Sequence, residues 1–267
     1  VDIVFDRRGE GPPLVLLHGI GHRRQGWAPV MDLLAAERDV IAVDLPGFGD
    51  SPPLPPGTPY TLDTVISILA RSFAELGLEQ PHIAGNSLGG LFALEAADRG
   101  LASSATGLSP AGFFNAAELR YAASVLRASR LGARVPDTLL TRLARSPRRR
   151  AAMFGMIYGR PDLMDLEVLA GDARAMREAP GFEPTLRAGR DTRFLGSCAD
   201  VPVTIAWGTK DRLLLRSQAI RAQRRLPNAR FVWLEGCGHV PMADDPALVA
   251  QVLLQGSAHP LKTRTAA

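Results

Sequence analysis

The run "PHIAGNSLGG" at residues 81–90 places Ser87 between Gly85, two positions before it, and Gly89, two after. A serine hydroxyl is a weak nucleophile at neutral pH. It attacks an acyl carbonyl only when a base within hydrogen-bond reach takes its proton. On a sharp strand-to-helix turn the hydroxyl would project from the chain, and a Cβ at either flanking glycine would crowd so tight a turn. A helix N-cap serine would not need both glycines. Such a nucleophile needs an imidazole, and the imidazole needs a carboxylate to orient it and stabilise its charge. The five histidines are His18, His22, His82, His239 and His259.

Which of them can reach Ser87 depends on the elements that carry them. Apolar runs recur at 13–19, 39–47, 81–87, 105–110, 202–208 and 230–236. Strands buried on both faces read this way, as in a parallel sheet. "VDIVF" at the start is expected as an antiparallel edge strand. Amphipathic helices lie between the runs. One, at 62–76, follows Thr61 as N-cap and stops before Gly77; the last opens with Asp245 as N-cap and Pro246 and ends near Gly256. A third follows Ser87, from Leu88 to about Asp98. Strand and helix in alternation predict parallel strands joined by right-handed crossovers. The alternation breaks once. From Gly112 to about Arg193 there are about four helical stretches and no strand-like run. The predicted organisation is a core of 1–111 and 194–258, a helical cap or lid of 112–193, and a frayed tail of 259–267.

Ligands of open parallel sheets bind beyond the carboxyl ends of the strands. Ser87 follows the run at 81–86, Asp211 the run at 202–208, and His239 the run at 230–236. Hydroxyl, carboxylate and imidazole therefore share one edge, in the chain order Ser, Asp, His. His18 and His22 are rivals on that edge. His82 begins its strand and belongs to the far end, and His259 is in the tail. His22 is expected to be exposed, with a substrate contact as the alternative. Asp200 precedes its strand and sits at the wrong end.

The order, with G-x-S-x-G on a strand–turn–helix, resembles the α/β-hydrolase superfamily. The matching pieces are "LLHGIG" (16–21), "DLPGFGDS" (44–51), "GNSLGG" (85–90), "WGTKDRL" (207–213) and "GCGHVPMADDP" (236–246). The resemblance implies an α/β-hydrolase fold with a mostly parallel central sheet, and a helical cap inserted after the strand at 105–110. It implies Ser87 as nucleophile, His239 as base and Asp211 as the acid that orients it. The backbone N–H groups of Ile20 and Leu88 would form an oxyanion hole, with His18 and Gly19 supporting the loop. Some members carry the acid one strand earlier, but "GLSPAG" offers no carboxylate until Glu118. Asp44 and Ser51 would brace a turn.

The expected reaction is hydrolysis of a small or medium apolar ester through an acyl-enzyme. Carbon–carbon bond hydrolysis of ring-cleavage products, a cofactor-free perhydrolase or acyltransferase, and a non-catalytic ligand-binding protein are the alternatives. Ser87 argues against the dehalogenases and epoxide hydrolases of this fold, which use aspartate there. "GNSLGG" is similar to the elbow of the carbon–carbon hydrolases, but "HGIGHRR" and "GHVPM" depart from their pattern. Phe113, Phe114, Phe154, Tyr158 and Val240 are candidate pocket residues, with Met153, Met156 and Phe182 as further apolar candidates.

The remaining features narrow the class. The chain has 267 residues, 46% hydrophobic, which suits one large α/β domain with an insertion. No stretch approaches the ~20 apolar residues of a membrane span. "VDIVFDRRGEG" is charged where a signal peptide is apolar, which favours a soluble protein; the first residue is not Met, so a leader or an early strand is expected to precede it. The net charge is +4, and only Lys210 and Lys262 are lysine. "SPRRR" at 146–150 reads as a solvated helix start, or alternatively as an anionic-partner patch. Cys198 and Cys237 fall at opposite ends of neighbouring strands, roughly 20 Å apart, so two thiols and a cytoplasmic location are expected. No H-E-x-x-H, cysteine–histidine cluster or G-x-G-x-x-G occurs, so neither metal nor organic cofactor is implied. The implied partner is a small-molecule substrate, for a monomer or homodimer, with no nucleic acid.

Overall fold

The computed structural model describes residues 2–190 and 192–258. One sheet is built from β1 (Phe5–Arg8), β2 (Pro13–Leu17), β3 (Asp39–Val43), β4 (His82–Asn86), β5 (Ser104–Leu108), β6 (Val203–Gly208) and β7 (Arg230–Leu234). The spatial order is β1-β3-β2-β4-β5-β6-β7. β1 is antiparallel to β3, and the other pairs are parallel. The edge strand is therefore antiparallel as expected, but it starts at Phe5, later than "VDIVF". Its own pattern, FDRR, is exposed along its length, so pairing with β3 fixes it where hydrophobicity does not.

Successive side chains of a strand point to opposite faces. Val15 and Leu17 of β2 join Ile41, Val43 and Ile83 in one apolar cluster. Leu14 and Leu16 join Val40, Ala42 and Ala84 in the other. Both faces are thus covered, which is why these strands read as unbroken apolar runs. Helices α2 (Leu62–Glu75), α3 (Leu88–Asp98) and α9 (Arg216–Arg225) contribute to the first cluster; α1 (Ala28–Ala35) and α10 (Pro246–Gly256) contribute to the second. The caps are those expected. Thr61 Oγ1 accepts from Thr64 N at 3.3 Å, and Asp245 Oδ1 accepts from Leu248 N at 3.0 Å.

Between β5 and β6 lie α4 (Ala116–Gly132), α5 (Asp137–Ala144), α6 (Pro147–Phe154), α7 (Leu166–Glu178) and α8 (Phe182–Ala188). There are five helices among the described residues where about four were expected. The seven-residue α8 is too short to display a helical period. In "SPRRR", Arg150 is spent on the carbonyls of Ala144 and Met164, and α6 buries no side chain, in keeping with a solvated helix start. Cys198 and Cys237 are both free and buried, and burial lifts each thiol to about 12. No described helix is long and apolar enough to cross a membrane. Residues 259–267, the expected tail with His259, lie outside the described residues.

The strand order reverses between β2 and β4, and a crevice opens there at the carboxyl ends. The loop after β2 and the turn after β4 meet in it. The contact is close: a Cβ on Gly89 would overlap the Leu17 carbonyl oxygen, and one on Gly85 would overlap that of Gly89. Gly89→Ala is expected to cost ~3 kcal/mol or more, because backbone must move to admit the methyl group. Gly132→Ala, where a Cβ meets nothing within 4 Å, should be neutral or slightly stabilising. Urea midpoints of both variants against the parent check this contrast.

Candidate active site

Ser87 joins β4 to α3 with φ 55 and ψ −114, a region that side-chain-bearing residues rarely occupy. Hydrogen bonds hold it there. Its N–H donates to Leu108 O at 2.9 Å, and its carbonyl accepts from Leu91 N at 3.1 Å and Ala111 N at 2.9 Å. The residue is 6% exposed, and it lines two adjoining cavities. The N–H of Leu88 is among the first four of α3, which have no partner inside the helix. Gly19 lies against the turn: a Cβ built on it would stand 3.2 Å from Ser87 Cβ. The backbone of Gly19 and Ile20 therefore borders the space in front of the hydroxyl.

His18 fixes that loop from behind. Its Nδ1–H donates to Gly19 O at 2.7 Å, and its Nε2 accepts from Leu45 N at 3.0 Å. One ring nitrogen donating and the other accepting is the neutral form. Full burial pushes its pKa down to about 4, against the opposing pull of Asp44. Asp44 and Ser51 brace the adjoining turn, as expected. Asp44 accepts from the backbone N–H groups of Arg24 and Asp50 and pairs with the Arg24 guanidinium; Ser51 Oγ donates to Asp44 O at 2.8 Å.

Asp211 and His239 meet at the far side of the crevice. His239 Nδ1 and Asp211 Oδ2 are 2.8 Å apart, with the two side chains 4% and 1% exposed. Asp211 Oδ1 also accepts from Leu213 N at 2.9 Å and Leu214 N at 2.8 Å, which fixes the carboxylate plane. With Nδ1–H given to Asp211, Nε2 is left as the acceptor, and the ring lines the same cavity as Ser87. Ser87 Oγ itself has no hydrogen bond among the described residues; contacts of this kind commonly tighten only with substrate bound. Glu118 is engaged elsewhere, by Asn115 N and Arg221.

Two positioning groups escaped the sequence reading. Asn86, 2% exposed, donates from Nδ2 to Leu108 O at 3.0 Å and to His239 O at 2.8 Å. It ties the histidine loop to the serine turn. Asp244 accepts from Gly238 N at 2.7 Å, Gly159 N at 2.8 Å and Arg160 N at 2.8 Å. Burial raises its pKa although these amides pull it down. His239 N also donates to Ile157 O at 2.7 Å. The segment at 157–160 is thus stitched to the histidine loop. Both signals lay in the quoted motifs, at positions without a chemical role of their own.

The larger cavity, of about 580 Å³, is lined by Phe154, Tyr158, Val240, Met153 and Met156 among others. The smaller, of about 90 Å³, is lined by Phe114, Ile20, Leu88, Leu91, Leu126 and Leu186. Phe113 lines neither. It is 5% exposed and packs against Phe194 with ring centroids 5.8 Å apart, so it is core. Phe182 is fully buried under Arg130, and likewise belongs to the packing. His22 is also corrected: its side chain is only 12% exposed and lines the larger cavity, since Gly21 turns the chain inward there.

The depressed His18 pKa has a consequence for stability. Between pH 6.5 and about 4 the unfolded chain protonates this imidazole and the folded chain does not, so folding loses stability as pH falls. The loss is on the order of 3 kcal/mol by pH 4. Urea midpoints at pH 7.5 and 5 should therefore converge more in His18→Gln than in the parent, the variant lacking that slope.

The family profile described as "Alpha/beta hydrolase family" matches residues 14–252. An uncharacterized protein of Mycobacterium tuberculosis is 30% identical, across 91% of this chain and 74% of its own length. The pimeloyl-(acyl-carrier protein) methyl ester esterase of Aeromonas hydrophila is 30% identical, across 95% of this chain and 98% of its own. Among solved structures, a membrane phospholipase A superposes with a TM-score of 0.76 at 26% identity, covering 97% of this chain and 84% of that one. With the sheet order, the turn at Ser87 and this match across most of its length, the chain belongs to the alpha/beta hydrolase family.

Proposed function

We propose that the protein is a serine esterase that cleaves an apolar ester through an acyl-enzyme on Ser87. The observation that carries this reading is the hydrogen bond between Asp211 and His239, which leaves Nε2 free in a ring that lines the same cavity as Ser87. The relative named as a methyl ester esterase supports the same class.

In the proposed mechanism His239 Nε2 takes the Ser87 proton as Oγ bonds to the acyl carbon. The oxygen that becomes negative is met by the N–H groups of Ile20 and Leu88 and by the positive end of α3. Asp211 stabilises the imidazolium. The tetrahedral centre collapses, the carbon–oxygen bond to the alcohol breaks, and Nε2–H protonates the leaving alkoxide. Water then repeats the sequence and releases the acid.

The two cavities divide the substrate. The leaving oxygen must come within reach of His239, and His239 lines the larger cavity and not the smaller. The alcohol arm accordingly takes the larger space, and the acyl arm takes the apolar cleft beside Leu88 and Phe114. A cleft of about 90 Å³ suits a short acyl chain. In this reading residues 112–193 act as the cap that roofs both.

A fluorophosphonate probe is expected to label Ser87, and Ser87→Ala to lower kcat on 4-nitrophenyl acetate by ~10⁶-fold. Asp211→Asn should lower it ~10⁴-fold by disturbing the imidazole tautomer. An unlabelled, inert parent would sink the reading. For the isomers hexyl acetate and ethyl hexanoate, kcat/KM should favour the former by ~10-fold or more; the reverse order would overturn the assignment of the arms.

A further inference from the structure

The mechanism uses one imidazole of the larger cavity and leaves a second without a task. His22 lines that cavity with Tyr158 and Asp172, in a wall otherwise built mainly of Leu, Val, Ala and Met. The ring is fixed from behind: its Nδ1–H donates to Arg23 O at 3.2 Å, and a Cβ on Gly26 would overlap the imidazole. Its Nε2 is buried and has no hydrogen-bond partner. The nearest acid is Asp172 of α7, whose Oδ2 lies 3.6 Å from Nε2 and accepts from Tyr158 Oη at 2.6 Å. A separation of 3.6 Å is too long for a hydrogen bond. A donor and an acceptor thus stand side by side as an ion pair, oriented by their surroundings, without a direct hydrogen bond between them.

The charges narrow what could join them. Burial alone would lower the His22 pKa, but the Asp172 carboxylate outweighs it and the net shift is upward. Burial likewise works to raise the Asp172 pKa, and His22, Tyr158 and Arg23 together hold it down. Both shifts favour the charged forms, imidazolium and carboxylate. Asp172 repels an anion, and His22 with Arg23 beside it repels a cation. The group that both accept is neutral and can receive one hydrogen bond while giving another. A hydroxyl does this with a single atom.

We propose that His22 and Asp172 form a polar subsite that binds a hydroxyl on the alcohol arm of the substrate, Nε2–H donating to its oxygen and its proton going to the carboxylate. His22 is two residues from Ile20, so by chain reach the subsite lies within ~7 Å of the oxyanion loop, measured between Cα atoms. The preferred substrates are then short-acyl monoesters of diols. The inference rests on the esterase reading, since it assigns the alcohol arm to this cavity.

The test compares acetate monoesters of butane-1,4-diol, hexane-1,6-diol and octane-1,8-diol with pentyl, heptyl and nonyl acetate, in which methyl replaces the hydroxyl. The parent is expected to favour the hydroxyalkyl ester ~10-fold or more in KM at one chain length at least, because the pair is left unsatisfied by the alkyl ester. His22→Phe and Asp172→Leu should each remove that preference, and His22→Gln, which keeps a donor, should restore part of it. Circular dichroism melting confirms that each variant folds. If Asp172→Leu does not fold, His22→Phe and His22→Gln carry the comparison. A ratio near one at every length, or a preference that survives His22→Phe, overturns the subsite while the esterase reading stands. Calorimetric titration of Ser87→Ala with both esters separates the two ideas. If the parent hydrolyses nothing but Ser87→Ala binds the hydroxyalkyl ester more tightly through His22, the subsite stands and the esterase reading falls.

Discussion

A backbone turn that only glycine neighbours permit sets the geometry of this protein. Ser87 sits at φ 55, and the chain on either side passes so close to other backbone that Gly85 and Gly89 have no room for a Cβ. Strain of this kind costs of order 1–3 kcal/mol and persists only where the surroundings over-determine it. Here they do so through β5 and the loop after it, since Leu108 O and Ala111 N both bind the Ser87 backbone. The same crowding brings the loop after β2 against the serine. Gly19 and Gly89 are two sides of one contact, and the space in front of Oγ is what remains between them.

The histidine reaches this space by a different route. Its loop is held from three directions: by Asp211 at the ring, by Asn86 at the carbonyl, and by Ile157 at the N–H. Asp244 adds a fourth tie through Gly238, and the same carboxylate holds Gly159 and Arg160. The segment that lines the cavity at Ile157 and Tyr158 and the loop that carries His239 are therefore one hydrogen-bonded unit. Displacing residues 157–160 would disturb the imidazole as well as the pocket. Gly159 makes this possible, because a Cβ there would overlap the backbone at Gly236.

What was legible in the sequence follows from range. Apolar runs buried on both faces are a local signal, and all six parallel strands fell where the runs are. That Ser87, Asp211 and His239 fall at one sheet edge was legible because each follows a strand. Asn86 and Asp244 were not, because their partners lie far away in sequence or arise from a close backbone approach that no periodicity announces. Phe113 failed for the opposite reason. An aromatic at the start of an insertion reads equally as pocket or packing, and only Phe194, across the whole insertion, decides between them.

Three histidines on one sheet edge show how surroundings divide a single chemistry into separate tasks. His18 is wholly buried, bonds backbone at both nitrogens and is kept neutral, so it can only hold a loop. His239 gives one nitrogen to a carboxylate that two amides fix in place, in a ring that lines the cavity. His22 stands opposite a carboxylate too, but at 3.6 Å, with Asp172 already accepting from Tyr158. The difference between the last two is thus one of closure. Where the imidazole and acid bond directly, each fixes the other; where they do not, each is held by other partners, His22 by Arg23 O and Asp172 by Tyr158. A difference of less than one ångström separates a hydrogen-bonded imidazole–carboxylate pair from one that is an ion pair alone.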